Sequence, residues 1–207
     1  PSDLLLDPNN PRLQLGWSKN YEDSEIDSAD LQDSIYQTIV KGKHRTDKLI
    51  NSIKRQGFIK GSNDVVVRKL TGSKKYVVLE GNRRTASIRY LLNNKKDLAP
   101  HVKESLRAIP VKIFKYQKNS IHSIEDVIDV LFGIIHLEGP EPWGAMESGA
   151  YYNRAYEREL IRQTKARYFR WDDSIGVPLA ERVNKTVPAL KKVIGIFRVY
   201  AKMKKKK

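Results

Sequence analysis

The stretch YVVLEGNRRTASIRYL, residues 76–91, constrains the fold of this 207-residue chain more than any other. It opens as a short apolar run of the kind that becomes a buried strand. Gly81 ends that run, and Ala86, Ile88, Leu91 and Leu92 then recur at helical spacing up to a break at Asn93 and Asn94. A strand feeding a helix through one glycine is a βα joint, and Arg83 and Arg84 stand at the mouth of its helix. Two arginines there oppose the helix dipole, which favours negative charge at this end. Glycine lets the backbone approach a ligand closely, and free helix-start N–H groups beside two guanidinium groups suit a phosphate. Pairing with a carboxylate such as Glu80, or plain solvation, satisfies the arginines equally well.

The neighbouring segments predict an α+β architecture. DLLLDPNNPR is a short strand, Asp3 to Leu6, stopped by turn-forming residues. GWSKNYEDSEIDS is polar and aperiodic, which predicts a loop. Ser28 or Asp30 caps a helix carrying Leu31, Ile35 and Ile39 and ended by Gly42; a second helix runs from about Thr46 to Gly57 on Leu49, Ile50 and Ile53. DVVVRKL, TGSKK and YVVLEG form a hairpin. IPVKIFKY is a further strand, with Val111, Ile113 and Phe114 or Tyr116 on opposite faces. Beyond Ser123 the strand signals stop. SIEDVIDVLFGIIH and GAMESGAYYNRAYERELIRQ read as helices on either side of the LEGPEPW break, and the remainder as two or more short helices with a lysine tail. The change near residue 120 divides a mixed-sheet domain, 1–120, from an all-α domain, 121–207.

Charge sets the class of partner. The formal net charge is +15, with residues 1–44 mildly acidic and the rest strongly basic. Polyanions are the natural counterpart of such an excess, which otherwise costs self-repulsion. Cysteine is absent, so disulfides, thiolate metal sites and cysteine chemistry are excluded. No apolar run approaches the roughly 18 residues of a membrane span, and a soluble cytoplasmic protein is expected. The chain starts at Pro1, from which it is expected to be part of a longer protein. His44, His101, His122 and His136 lack a paired-ligand spacing, and no metal site is predicted.

In the C-terminal part, VPLAERVNKTVPALKKVIGIFRVY places Leu179, Ala180 and Val183 on one helix face and turns at Asn184 and Lys185. It resumes with Val187, Leu190, Val193 and Ile194. Thr186 caps the second helix and Pro188 sits in its first turn. This spacing resembles a helix-turn-helix. Thr186, Lys191 and Lys192 would then meet a groove, and Arg182, Lys185 and Arg198 would touch phosphates. A helical hairpin with a solvated lysine face has the same pattern. Upstream, Arg154, Arg158, Arg162, Lys165, Arg167 and Arg170 alternate with tyrosines, Phe169 and Trp171, a composition able to follow a nucleic-acid backbone.

Taken in order, DPNNPR, LINSIKRQGFIKGSNDVVVRK, YVVLEGNRRTASIRYL and IPVKIFK resemble the N-terminal domain of the ParB/sulfiredoxin-like family. The resemblance covers residues 3 to about 116, with an insertion at about 15–44. It implies a small mixed-sheet domain that binds CTP or ATP, with Mg2+ as the accompanying ion, followed by a helix-turn-helix-type domain that binds DNA. The family's Gly-Glu-Arg-Arg phosphate box falls on Gly81, Asn82, Arg83 and Arg84, with Asn82 a departure. Its glycine loop falls on Gln56, Gly57, Phe58 and Ile59, and its Asn-Pro-Arg on Asn10, Pro11 and Arg12. The second phosphate motif is replaced by GIIHLEGPEPW, where His136 and Glu138 lie nearest. Sulfiredoxin chemistry is excluded by the missing cysteine. The resemblance therefore implies a nucleoid-associated DNA-binding protein whose nucleotide site is linked to DNA binding, with DNA, a nucleotide and a second copy of the chain as partners. An alternative on the same fold is a metal-dependent nuclease or nucleotide hydrolase, in defence against foreign DNA, with Glu80, His136 and Glu138 as its catalytic candidates.

Overall fold

The computed structural model describes residues 1–13, 20–42, 46–59, 64–94, 98–115, 127–128, 131–132, 144–166 and 168–204. The chain divides into two compact units that meet in sequence at residues 115 and 116.

The described part of the first unit is α+β. Its elements are β1 (Leu4–Leu6), α1 (Asp23–Ile26), α2 (Ala29–Lys41), α3 (Thr46–Gln56), β2 (Val65–Lys69), β3 (Tyr76–Glu80), α4 (Asn82–Asn94), α5 (Pro100–Arg107) and β4 (Val111–Ile113). The strands form one mixed sheet in the order β1-β3-β2-β4. β2 and β3 pair antiparallel, as the hairpin reading expects, while β1 runs parallel to β3 and β4 parallel to β2. On one face, Leu4, Val65, Val67 and Val78 pack together. Phe58 and Ile109 join them to a second cluster of Ile50 and Ile53 from α3, Ile88 and Leu91 from α4, and Val102 and Leu106 from α5. On the other face, Leu5, Val77 and Leu70 lie against Ile26 and Tyr21.

Three differences from the sequence reading have simple causes. The stretch expected to be a loop contains α1, a single turn held by a reciprocal capping box between Glu22 and Glu25; four residues are too short for any apolar periodicity. Helix α5 was not anticipated, although Pro100 at its first turn with Val102 and Leu106 one turn apart carries a helix signal. Strand β4 is only three residues long, pairs with β2 alone at the edge of the sheet, and carries Ile113 exposed.

The acidic insertion protects the opposite edge. Leu4 and Leu6 turn their backbone groups away from β3, where an unpaired edge would invite aggregation. Gln32 of α2 is buried there. Its Oε1 accepts from Leu6 N at 2.8 Å, and its Nε2 donates to the carbonyls of Leu6 and Ile26, each at 2.9 Å. Arg89 of α4 donates to the Leu4 carbonyl. Beneath these bonds, Ile35 and Ile39 pack on Leu6, Leu13 and Ala86. Helix α1 is tied to the hairpin by Asp23, which accepts from Arg68 at 3.1 and 2.5 Å and from Thr71 N at 3.1 Å.

The second unit contains α6 (Ala145–Thr164), α7 (Asp173–Arg182) and α8 (Val187–Lys204), each packed on the other two. Helix α8 is longer than the short helices read from the sequence and runs into the lysine tail as far as Lys204.

Two outcomes follow from the covered edge. Gln32→Leu strips partners from two buried backbone groups of Leu6 and should cost about 2–3 kcal/mol, read as a lower urea midpoint. Burial raises the Asp23 pKa, but the bonds from Arg68 and Thr71 and the charge of Arg68 outweigh it, leaving the group below its ordinary value. Its stabilising contribution is present above the unfolded carboxylate pKa of about 3.9 and is lost as pH falls through the lower folded value. Thermal melts of wild type and Asp23→Asn should therefore differ at neutral pH and converge in acid.

Candidate functional site

The first candidate site forms where β3 hands over to α4. Gly81 has φ +98°, a conformation that side-chain-bearing residues rarely adopt, and a Cβ there would lie 3.0 Å from Val65 Cγ2. The glycine is thus required by the joint itself. Asn82, expected among the phosphate-box residues, has its amide engaged within the fold. It is buried, its Oδ1 accepts from Asp7 N at 2.9 Å, and its Nδ2 donates to the Val78 carbonyl at 2.8 Å. The amide thereby fastens the end of β1 to the end of β3.

Arg83 and Arg84 follow on the first turn of α4, both half-buried. Burial lowers the Arg84 pKa from its ordinary value; Glu80 opposes that effect, Arg83 adds to it and Asp64 opposes it. The net direction is downward, so the carboxylates in its surroundings do not fully offset the cost of a buried cation. Glu80, half-buried at the end of β3, lies within this field. Asp64 was not singled out from the sequence; it also pairs with Lys112 at 2.6 Å.

The loop residues aligned with the family motifs surround the same sheet but carry structural bonds. Gly57 caps α3 with φ +73°, its N–H bonded to the Ile53 carbonyl at 2.8 Å. Phe58 N donates to Ser105 Oγ at 3.1 Å, and the Phe58 ring packs into the apolar clusters. Ser105 lies 47 residues further on, so no local signal in the sequence marks it. Asn10 is buried, donating to the Leu79 carbonyl at 3.3 Å and accepting from Arg12 N at 3.0 Å. His136, Glu138 and the rest of the LEGPEPW break lie outside the described residues. Among the described residues, no group of three or more His, Asp or Glu side chains could hold a metal ion.

The second candidate site is the α7–α8 corner. Asp172 caps α7 by accepting from Ser174 N at 3.0 Å. The turn closes with Val183 N on the Leu179 carbonyl at 3.1 Å and Lys185 N on the Ala180 carbonyl at 2.9 Å, and Asn184 takes φ +50°. Asparagine adopts this left-handed conformation at less cost than most residues, so the corner forms without glycine. Thr186 Oγ1 accepts from Ala189 N at 3.4 Å. Arg182, Lys185, Thr186, Lys191 and Lys192 are all exposed around the corner. Lys191 holds its ammonium 5.4 Å from the centre of the Trp171 ring, which in turn stacks on Tyr156 at 4.9 Å.

Arg198 differs from the expectation of a phosphate contact. It is half-buried, donates to Asn153 Oδ1 at 3.0 Å and to Glu157, and lies 3.8 Å over the Phe169 ring. Its guanidinium fastens α8 to α6. Of the interleaved rings upstream, Tyr151, Tyr152 and Tyr156 are core residues, and Tyr168 is exposed. Arg198→Ala should therefore lower the stability of the second unit, on the order of 1–3 kcal/mol in a urea titration, whereas Lys192→Ala should unfold like wild type.

A comparison of the chain with protein-family models, curated proteins and solved structures finds no match.

Proposed function

We propose that the chain is a ParB-like DNA-binding protein whose first unit holds a nucleotide phosphate, of CTP or ATP, at Gly81, Arg83 and Arg84, and whose second unit holds DNA at the α7–α8 corner. The observation that carries the reading is the state of Arg84: a half-buried cation at the positive end of a helix, beside a second arginine, with its pKa depressed by burial. A phosphate would add its charge to that of Glu80 and Asp64 around these cations, and its oxygens fit the planar guanidinium fork. Gly81 supplies the backbone bend that sets the first turn of α4 and its two arginines in place. Glu80, on the other side of the joint, would meet a magnesium ion brought in by the nucleotide rather than one held by the chain alone.

DNA is the partner that the second unit suits. Its corner exposes Arg182, Lys185, Lys191 and Lys192 around a capped helix start, and its charge belongs to the strongly basic part of the sequence. Lys191, guided by the Trp171 ring, and Lys192 are the residues for the groove; Arg182 and Lys185 are those for the backbone. Linkage between the two sites is part of the proposal, through a change in DNA affinity when nucleotide is bound.

Labelled CTP and ATP should bind the wild type, and Arg83→Ala with Arg84→Ala should weaken that binding by about a hundredfold, the loss of two charge-assisted contacts. Absence of binding by the wild type would sink the nucleotide reading. DNA affinity should fall steeply with added salt, and each of Lys185→Ala and Lys192→Ala should reduce the slope of log K against log salt by about 1. Cleavage of DNA that needs a divalent metal and disappears in Glu80→Gln would favour the nuclease instead.

A further inference from the structure

Helix α8 carries two seams, and among the described residues only one of them is buried. Leu190, Ile194 and Phe197 are buried against α6 and α7. A second row, Ala189, Lys192, Ile196, Val199 and Met203, follows the alternating three-and-four spacing of a helix-pairing seam and faces solvent along its whole length. Its large members are well exposed, Ile196 at 53%, Val199 at 61% and Met203 at 66%, with Tyr200 beside them at 37%. Gly195 lies next to the row, and a Cβ added there would meet nothing within 4 Å. A glycine inside an exposed helix costs about 1 kcal/mol relative to alanine, and among the described residues no close packing at this position offsets it. It does leave room for another backbone to come close.

Charge decides between occupants. Residues 182–207 contain ten Lys or Arg and no Asp or Glu. Lys192 stands in the seam itself, and Lys191 and Lys202 are exposed close by. Pairing two copies would set two purely basic helices side by side, which like-charge repulsion opposes. A groove of DNA asks for hydrogen-bonding side chains at base edges, and Ile196, Val199 and Met203 have none. An interfacial helix on a lipid surface shows a broad apolar face, whereas this row is one residue wide. We propose that the exposed seam of α8 docks an acidic amphipathic helix of another protein, with apolar residues at heptad spacing flanked by glutamate or aspartate. This surface runs on from the corner cations Arg182 and Lys185 and shares Lys192 with the proposed DNA face, so a bound partner would compete with DNA at that end of the helix.

The test uses the full chain and a fluorescent synthetic peptide of four heptads with Ile and Leu at the seam positions and Glu on the flanks. Saturable binding is expected, seen as a rise in anisotropy. A scrambled peptide of the same composition, and the same heptads with Lys flanks, should each bind at least about tenfold more weakly. Ile196→Ser with Val199→Ser leaves the net charge unchanged and alters only exposed side chains; it should weaken binding by about tenfold or more while the far-ultraviolet circular dichroism keeps its helical signal. Equal binding of the scrambled peptide would overturn the proposal by reducing it to charge attraction. So would wild-type self-association in sedimentation that this double variant abolishes, or binding to phosphatidylserine vesicles that the double variant abolishes while the heptad peptide fails to bind.

Discussion

The side-chain amide of Asn82 is the joint on which the first unit turns. Parallel strands have no hairpin to keep them aligned, so β1 and β3 depend on something at their ends. Asn82 spans that gap, taking the Asp7 N–H with its oxygen and giving its own N–H to the Val78 carbonyl. Because it is buried, both halves of the amide must be satisfied, and the two bonds fix the position of the first turn of α4. Gly81 supplies the backbone bend that lets the chain arrive there. Arg83 and Arg84 are consequences of this joint: they are half-buried because the turn that bears them is held against the sheet.

The rest of the unit manages the two edges of a small sheet by different means. At β1, side chains take over the work of a missing strand, with Gln32 and Arg89 filling backbone positions that would otherwise be open. The mildly acidic segment that looked like an insertion is therefore part of the fold's closure, and Asp23 clamps it to the hairpin through Arg68. At β4, by contrast, Lys112 and Asp64 pair on the rim and Ile113 stays exposed.

In the second unit the same residue types divide between structure and surface. Trp171 stacks on Tyr156, Phe169 meets Tyr156 at a tilt, and Arg198 lies over Phe169, which together fasten α6 to α8. Gly149 permits the close crossing of α6 over α8, since a Cβ there would come within 2.8 Å of Phe197 Cβ. Arg182, Lys185, Lys191 and Lys192 are exposed around the turn, and the large apolar members of the exposed row, Ile196, Val199 and Met203, follow them on the same helix. One helix thus presents chemically different surfaces along its length.

Periodicity and turn residues determined much of this protein on their own. Strand β3, Gly81, helix α4, the β2–β3 hairpin, helix α2 and the α7–α8 corner all follow from local spacing, because the forces that make them act over a few residues; the side-chain cap expected from Ser28 at the start of α2 is not made. The pairing of Arg83 and Arg84 was legible for the same reason. What only the tertiary structure decided are the long-range assignments: Asn82 to Asp7, Gln32 to Leu6, Phe58 to Ser105, and Arg198 to Glu157. An amide or guanidinium in a sequence carries no mark of whether it will meet a ligand or a carbonyl. That choice is made by burial, which requires a partner for every polar group withdrawn from water and takes the nearest one that the fold provides.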